Sequence, residues 1–127
     1  MFGKKKEQLP AGTRLMHYEG LPGFMQDSPC FMEQTAEALL FHRVGGSTIT
    51  LPLEKVTGVD IMEERHFAAK YRGTGLNTSK TSAVKWYAVI SYTPDKSVVV
   101  WFLGGKESTA MWALKKQIEE NAPSITL

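Results

Sequence analysis

The chain is interrupted at short intervals by residues that bend a backbone. Gly20, Pro22-Gly23, Ser28-Pro29, Gly45-Gly46, Gly73-Thr74-Gly75 and Thr93-Pro94-Asp95 cut residues 14–103 into runs too short for ordinary helices and long enough for strands. Within those runs the apolar residues alternate. Leu39 and Phe41 fall on one face against Ala38, Leu40 and His42, and across the Gly45-Gly46 turn Ile49, Leu51 and Leu53 oppose Thr48 and Thr50. That pattern predicts a hairpin. Val59 and Ile61 predict a further strand running toward Glu63. Residues 85–92 alternate Trp86, Ala88, Ile90 and Tyr92 with Tyr87, Val89 and Ser91, and a second hairpin follows through Pro94-Asp95.

Residues 98–103, Val-Val-Val-Trp-Phe-Leu, are apolar at consecutive positions, as expected of a strand covered on both faces. A helix is the expected cover. Residues 107–121 place Met111, Leu114 and Ile118 on one helical stripe, with Lys115, Lys116, Glu119 and Glu120 on the other side. Ser108 or Thr109 can accept a bond from a free N–H of the first turn, and Pro123 ends the segment. The expected order is six or seven strands followed by one C-terminal helix.

The chain has 127 residues, the size of one domain. Residues 1–12, with Lys4-Lys5-Lys6 beside Phe2, read as a mobile basic tail, and residues 13–127 as a single domain. Gln8, Pro10, Gly12 and Thr13 stand where the apolar core of a signal peptide would follow the charged start, so secretion is not expected. Fifteen Lys and Arg against thirteen Asp and Glu leave a net charge of +2, too even to make nucleic acid the expected partner. The single cysteine, Cys30, cannot form an internal disulfide or a multi-cysteine zinc site, and fits a reducing compartment. No run approaches the 18 apolar residues of a spanning helix. A cytoplasmic location is expected, with peripheral contact at an acidic inner-membrane surface as the alternative.

Leu51-Pro52-Leu53-Glu54-Lys55-Val56-Thr57-Gly58-Val59-Asp60-Ile61 follows a strand and a Gly-Gly turn. It resembles the strand-end element of bacterial pleckstrin-homology-like and GRAM-like domains, in which an apolar-Pro pair ends one strand and an apolar-x-x-apolar-x-apolar run begins the next. Leu51-Pro52, Val56, Val59 and Ile61 are the matching residues, and the strand-rich order ending in one helix extends the likeness over residues 14–121. The resemblance implies a mainly β fold in which two antiparallel sheets form a bent, partly open barrel capped by the C-terminal helix. It implies a binding or assembly module without enzymatic chemistry or cofactor.

Several residues of the kinds that carry chemistry are present without the spacing that chemistry needs. Glu63-Glu64-Arg65-His66 offers one Glu-x-x-His, where helical metal sites use two copies with further carboxylates, so a solvated strand end is expected and no metal. His17 and His42 are isolated and read as surface or half-buried polar tips. Cys30 reads as a core thiol rather than a nucleophile. Gly73 and Gly75 lack the third glycine of a dinucleotide loop and read as a hairpin tip.

Two surfaces are candidates for binding. Residues 65–85 carry Arg65, Lys70, Arg72, Lys80 and Lys85 with no Asp or Glu, and residues 73–82 read as a flexible hydroxyl-rich loop, so this stretch could hold phosphate or acidic phospholipid headgroups. The other surface is apolar: three Trp, four Tyr, six Phe and six Met exceed what a small barrel encloses, which predicts a protein partner or a homodimer. Trp112 lies about 100° round the helix from Met111. Burial against Trp101 or Phe102, the favoured placement, would make it core, and exposure would make it an interface anchor. Trp86 or Tyr87 is the alternative anchor, since neighbouring strand residues face opposite ways.

Overall fold

The computed structural model describes residues 12–72 and 84–120, without the side chain of Arg72. Among these residues there are seven strands: β1 (Thr13–Glu19), β2 (Ser28–Gln34), β3 (Ala38–His42), β4 (Thr48–Pro52), β5 (Val56–Glu63), β6 (Trp86–Tyr92) and β7 (Lys96–Phe102). A 3₁₀ turn (Leu53–Lys55) joins β4 to β5, and a short helix α1 (Glu64–Phe67), continued by a π-helical turn (Ala68–Arg72), follows β5. Helix α2 (Lys106–Glu120) closes the described chain. Both predicted hairpins form, with Phe41 opposite Ile49 and Ile90 opposite Val98.

The strands make one antiparallel ladder in the order β4-β3-β2-β1-β7-β6-β5 rather than two separate sheets. β1 is the reason, because it pairs with β2 on one side and with β7 on the other, through a bulge between His17 and Glu19. Strand order also dictates the shape. β4 and β5 are the two edges, and on a flat sheet they would stand about 29 Å apart, six spacings of about 4.8 Å. Only Leu53–Lys55 link them, a connection that spans at most about 14 Å. The sheet therefore curls until its edges approach. The link is pinned at both ends: Leu53 N–H donates to Glu37 O at 2.8 Å, and Thr93 N–H donates to Lys55 O at 2.9 Å. Among the described residues no ladder joins β4 to β5, so the curled sheet stays open along that seam.

Curling gives the sheet two unlike faces. The inner face carries the main core, in which Leu15, Leu39, Phe41, Ile90 and Val100 meet Met111 and Leu114 of α2. The outer face carries a smaller cluster of Met62, Phe67, Tyr87, Val89 and Val99. β7 is apolar on both faces because Val98, Val100 and Phe102 point inward while Val99 points out. The expected helical cover is thus divided. α2 lies on the inner side, turned there through Gly104 (φ 126°) and Gly105 (φ 69°), and α1 covers the outside. The first turn of α2 begins one residue earlier than expected, and its Thr109 N–H bonds back to Gly105 O at 3.2 Å.

Candidate interaction surfaces

α2 has a buried face and an open one. Met111 and Leu114 are fully buried, Ile118 packs against the core, and Lys115 reaches across to donate from Nζ to Val59 O at 3.1 Å. Lys115 also pairs with Glu119 one turn on, at 2.7 Å. Trp112 is turned away from all of this and is 44% exposed, so the core placement against Trp101 or Phe102 does not occur. The cause is the angle: Met111 points straight into the core, and the next residue on a helix is rotated by about 100° from it. Gly105, Lys106, Thr109, Ala113, Lys116, Glu119 and Glu120 are exposed with it.

Trp86 and Tyr87 do not provide an open surface. Trp86 is half-buried against the main core. Tyr87 does face outward, but the ring of Phe67 stacks on it at 4.3 Å and 6°, leaving it 5% exposed. Tyr18 closes the same cluster edge-on, 5.5 Å from Phe67 and 5.4 Å from Tyr87. Tyr18 and Tyr87 thus meet Phe67 on the outer face and hold α1 against the sheet.

The basic segment is divided by the fold. Lys70 donates to Asp60 Oδ2 at 2.6 Å, and Tyr71 O–H donates to the same oxygen at 2.9 Å. Burial pushes the Asp60 carboxyl up, but these two hydrogen bonds and the charges of Lys70 and Lys115 outweigh it and hold the group below its ordinary value. The hydrogen bond to Asp60 raises Lys70 in turn, and burial with the same carboxylate raises Tyr71. Lys85 lies 4.5 Å over the ring of Trp101, whose Nε1 donates to Asp27 at 2.8 Å. Arg65 is exposed on α1. The Arg72 side chain, Lys80 and the expected hydroxyl-rich loop lie outside the described residues, as does the N-terminal tail up to residue 11.

His17, His42 and Cys30 have structural roles. His17 is buried, not a surface tip: Leu21 N–H donates to its Nε2 at 3.1 Å and its Nδ1 faces Met25 O at 3.0 Å. The imidazole therefore carries its proton on Nδ1 and fastens the loop between β1 and β2. His42 is half-buried between Glu33 (2.9 Å) and Thr48 (2.8 Å). Cys30 is completely buried, and burial pushes its thiol up to about 12. Glu64, Arg65 and His66 belong to α1, just past the strand end at Glu63, and no cluster of three metal-ligating side chains occurs among the described residues.

Comparison with protein-family models, with curated proteins and with solved structures gave no match. No helix of the described chain is long and apolar enough to cross a membrane.

Proposed function

We propose that this protein is a non-enzymatic binding module of pleckstrin-homology-like architecture that associates with a second copy of itself through the open face of α2. The architectural part is supported by the strand order, the edges drawn together by a three-residue turn, and the helix that follows β7. The binding part is supported by where the reactive side chains are spent. His17 and His42 are committed to hydrogen bonds, and Cys30 is a sealed thiol.

One observation carries the self-association: the exposed stripe of α2 is complementary to its own reverse. Its members Lys106, Thr109, Trp112, Ala113, Lys116 and Glu119 are arranged about a centre between residues 112 and 113. Two copies of the helix packed antiparallel about a twofold axis place Trp112 over the small Ala113 of the other copy. Thr109 then meets Lys116, and Lys106 meets Glu119. A large ring beside a small residue lets helices approach closely, and the charges at the two ends fix the antiparallel direction. Leu103, 57% exposed just ahead of α2, extends the apolar surface. A fifteen-residue helix is only about 22 Å long, so the pair of helices supplies part of the about 1,200 Å² of a stable dimer and the barrel end supplies the rest.

Light scattering at micromolar concentration tests this reading. A dimer mass that falls to a monomer mass in Trp112→Ala supports it. A monomer mass unchanged by the substitution removes it. The acidic-headgroup alternative is weakened by the pairing of Lys70 with Asp60 and keeps Arg65 and Lys85 among the described cations. It requires salt-sensitive binding to anionic liposomes.

A further inference from the structure

Among the described residues, the outer edge of β4 has hydrogen-bonding capacity to spare. Arg43 N–H donates to Ser47 O at 3.4 Å, and Leu53 N–H donates to Glu37 O at 2.8 Å. Antiparallel ladders alternate bonded and non-bonded pairs. The bonded pairs between β3 and β4 are therefore Phe41 with Ile49 and Leu39 with Leu51, and Thr48 and Thr50 occupy non-bonded pairs. The N–H and C=O of both threonines point away from β3. Pro52 falls in the same class, so its missing N–H costs the sheet no bond, as suits a proline on an edge. The other edge of the sheet is treated differently, with Lys115 Nζ capping Val59 O on β5. Among the described residues nothing caps Thr48 or Thr50 in that way.

Beside this edge is an opening into the main core. Leu21, Ile49, Leu51, Tyr92, Val98 and Lys55 are among the residues that line a cavity of about 130 Å³. Its size is close to the ~150 Å³ apolar cavity that accepts a benzene ring, and so suits one aliphatic side chain. Residues of an added strand that lie opposite Ile49 or Leu51 point to the inner face, toward that cavity.

We propose that the free edge of β4 binds an extended peptide segment of a partner protein, whose backbone pairs with Thr48 and Thr50 while one Val, Ile or Leu enters the cavity. An acidic residue two positions away lies on the same face and meets Lys55, which has no ion pair among the described residues. This is strand addition, in which the backbone supplies affinity and the pocket supplies selectivity. A second copy's β4 is a poorer occupant. Its inward residues Ile49 and Leu51 are already packed in or against their own core, leaving nothing to fill the cavity. The proposal is independent of the α2 face, and performing the test in Trp112→Ala protein as well separates its failure from that of self-association.

The probe is a terminally blocked heptapeptide, Thr-Glu-Thr-Val-Thr-Glu-Thr, titrated into ¹⁵N-labelled protein. The expected result is saturable shifts of the Thr48, Thr50, Leu21 and Tyr92 amides. Binding should weaken at least tenfold when the valine is replaced by glycine or when one pairing peptide nitrogen is methylated. The proposal is overturned if no shift appears at about 1 mM peptide, a concentration that detects even millimolar affinity. It is overturned equally if the shifts lie elsewhere or ignore both peptide changes. Amide exchange of the free protein covers the other occupants. Protection of Thr48 and Thr50 that rises with protein concentration would assign the edge to a second copy. Protection independent of concentration would assign it to a segment of the same chain, and either result overturns the proposal.

Discussion

Replacing His17 by phenylalanine separates two reasons for burying an imidazole. If the ring only fills space, phenylalanine fills it as well and brings more apolar area. If the ring is there for its nitrogens, the substitution leaves the buried Leu21 N–H and the Met25 carbonyl without partners. Each orphaned group costs about 1–3 kcal/mol when shut away from water. The N–H is buried and the carbonyl side is only partly so, which places the expected loss at about 2–4 kcal/mol, a large share of a typical total of about 5–15 kcal/mol. His17→Ala should lose more, since the contact between the imidazole and Phe24, 5.5 Å between centroids, goes too. Urea unfolding measures the effect. With a slope of about 1–3 kcal/mol per molar for a protein of this size, the midpoint of the phenylalanine variant should fall by about 1–2 M at unchanged slope. An unfolding free energy within about 0.5 kcal/mol of the parent would refute the hydrogen-bond reasoning, because changes of that size are ordinary for substitutions that break nothing.

Three further outcomes are expected. Gly20→Ala should destabilise by a few kcal/mol (about 1–3 from backbone strain alone), because φ is 106° and the new Cβ would run into the Ser97 carbonyl. An unchanged melting temperature would contradict this. Cys30, completely buried with its thiol pushed up to about 12, should be inert to a disulfide reagent at pH 8 in the folded protein and react in urea. Fast reaction under native conditions would show that the core opens there. Asp60 has a lowered pKa, so its contribution is present above the ordinary carboxylate value of about 3.9 and is lost as pH falls through the depressed folded value. Asp60→Asn should therefore flatten the acid limb of a stability–pH curve, and an identical limb in parent and variant would contradict the assignment.

The parts of this fold that the sequence shows are those whose signal is local. The hairpin of β3 and β4 is visible because Leu39, Phe41, Ile49 and Leu51 keep a strict period of two around Gly45-Gly46, and α2 is visible because Met111, Leu114 and Ile118 keep a helical one. α1 is not visible. Phe67 and Tyr71 are spaced as neighbours on a helix, but the segment is too short to hold itself and depends on stacking against Tyr87. The burial of His17 is not visible either, because its partners, Leu21 N–H and Met25 O, exist only once the loop has folded over it. The single ladder depends on the pairing of β1 with β7, a contact between the two ends of the domain that no local pattern encodes. Trp112 stands just outside the core stripe, where helical angle alone leaves both placements open until the packing of Met111 and Leu114 is known.

The self-complementary face of α2 is tested most directly between two copies. Unlabelled protein with Lys116→Cys, in a Cys30→Ala background, is tagged with a nitroxide and mixed with ¹⁵N-labelled protein. The antiparallel arrangement predicts paramagnetic broadening of the labelled copy's Thr109, Trp112 and Ala113 amides, abolished when Trp112→Ala is introduced into both copies. Sharp resonances along α2 at concentrations where a dimer mass is observed would contradict the arrangement and move the interface elsewhere on the domain.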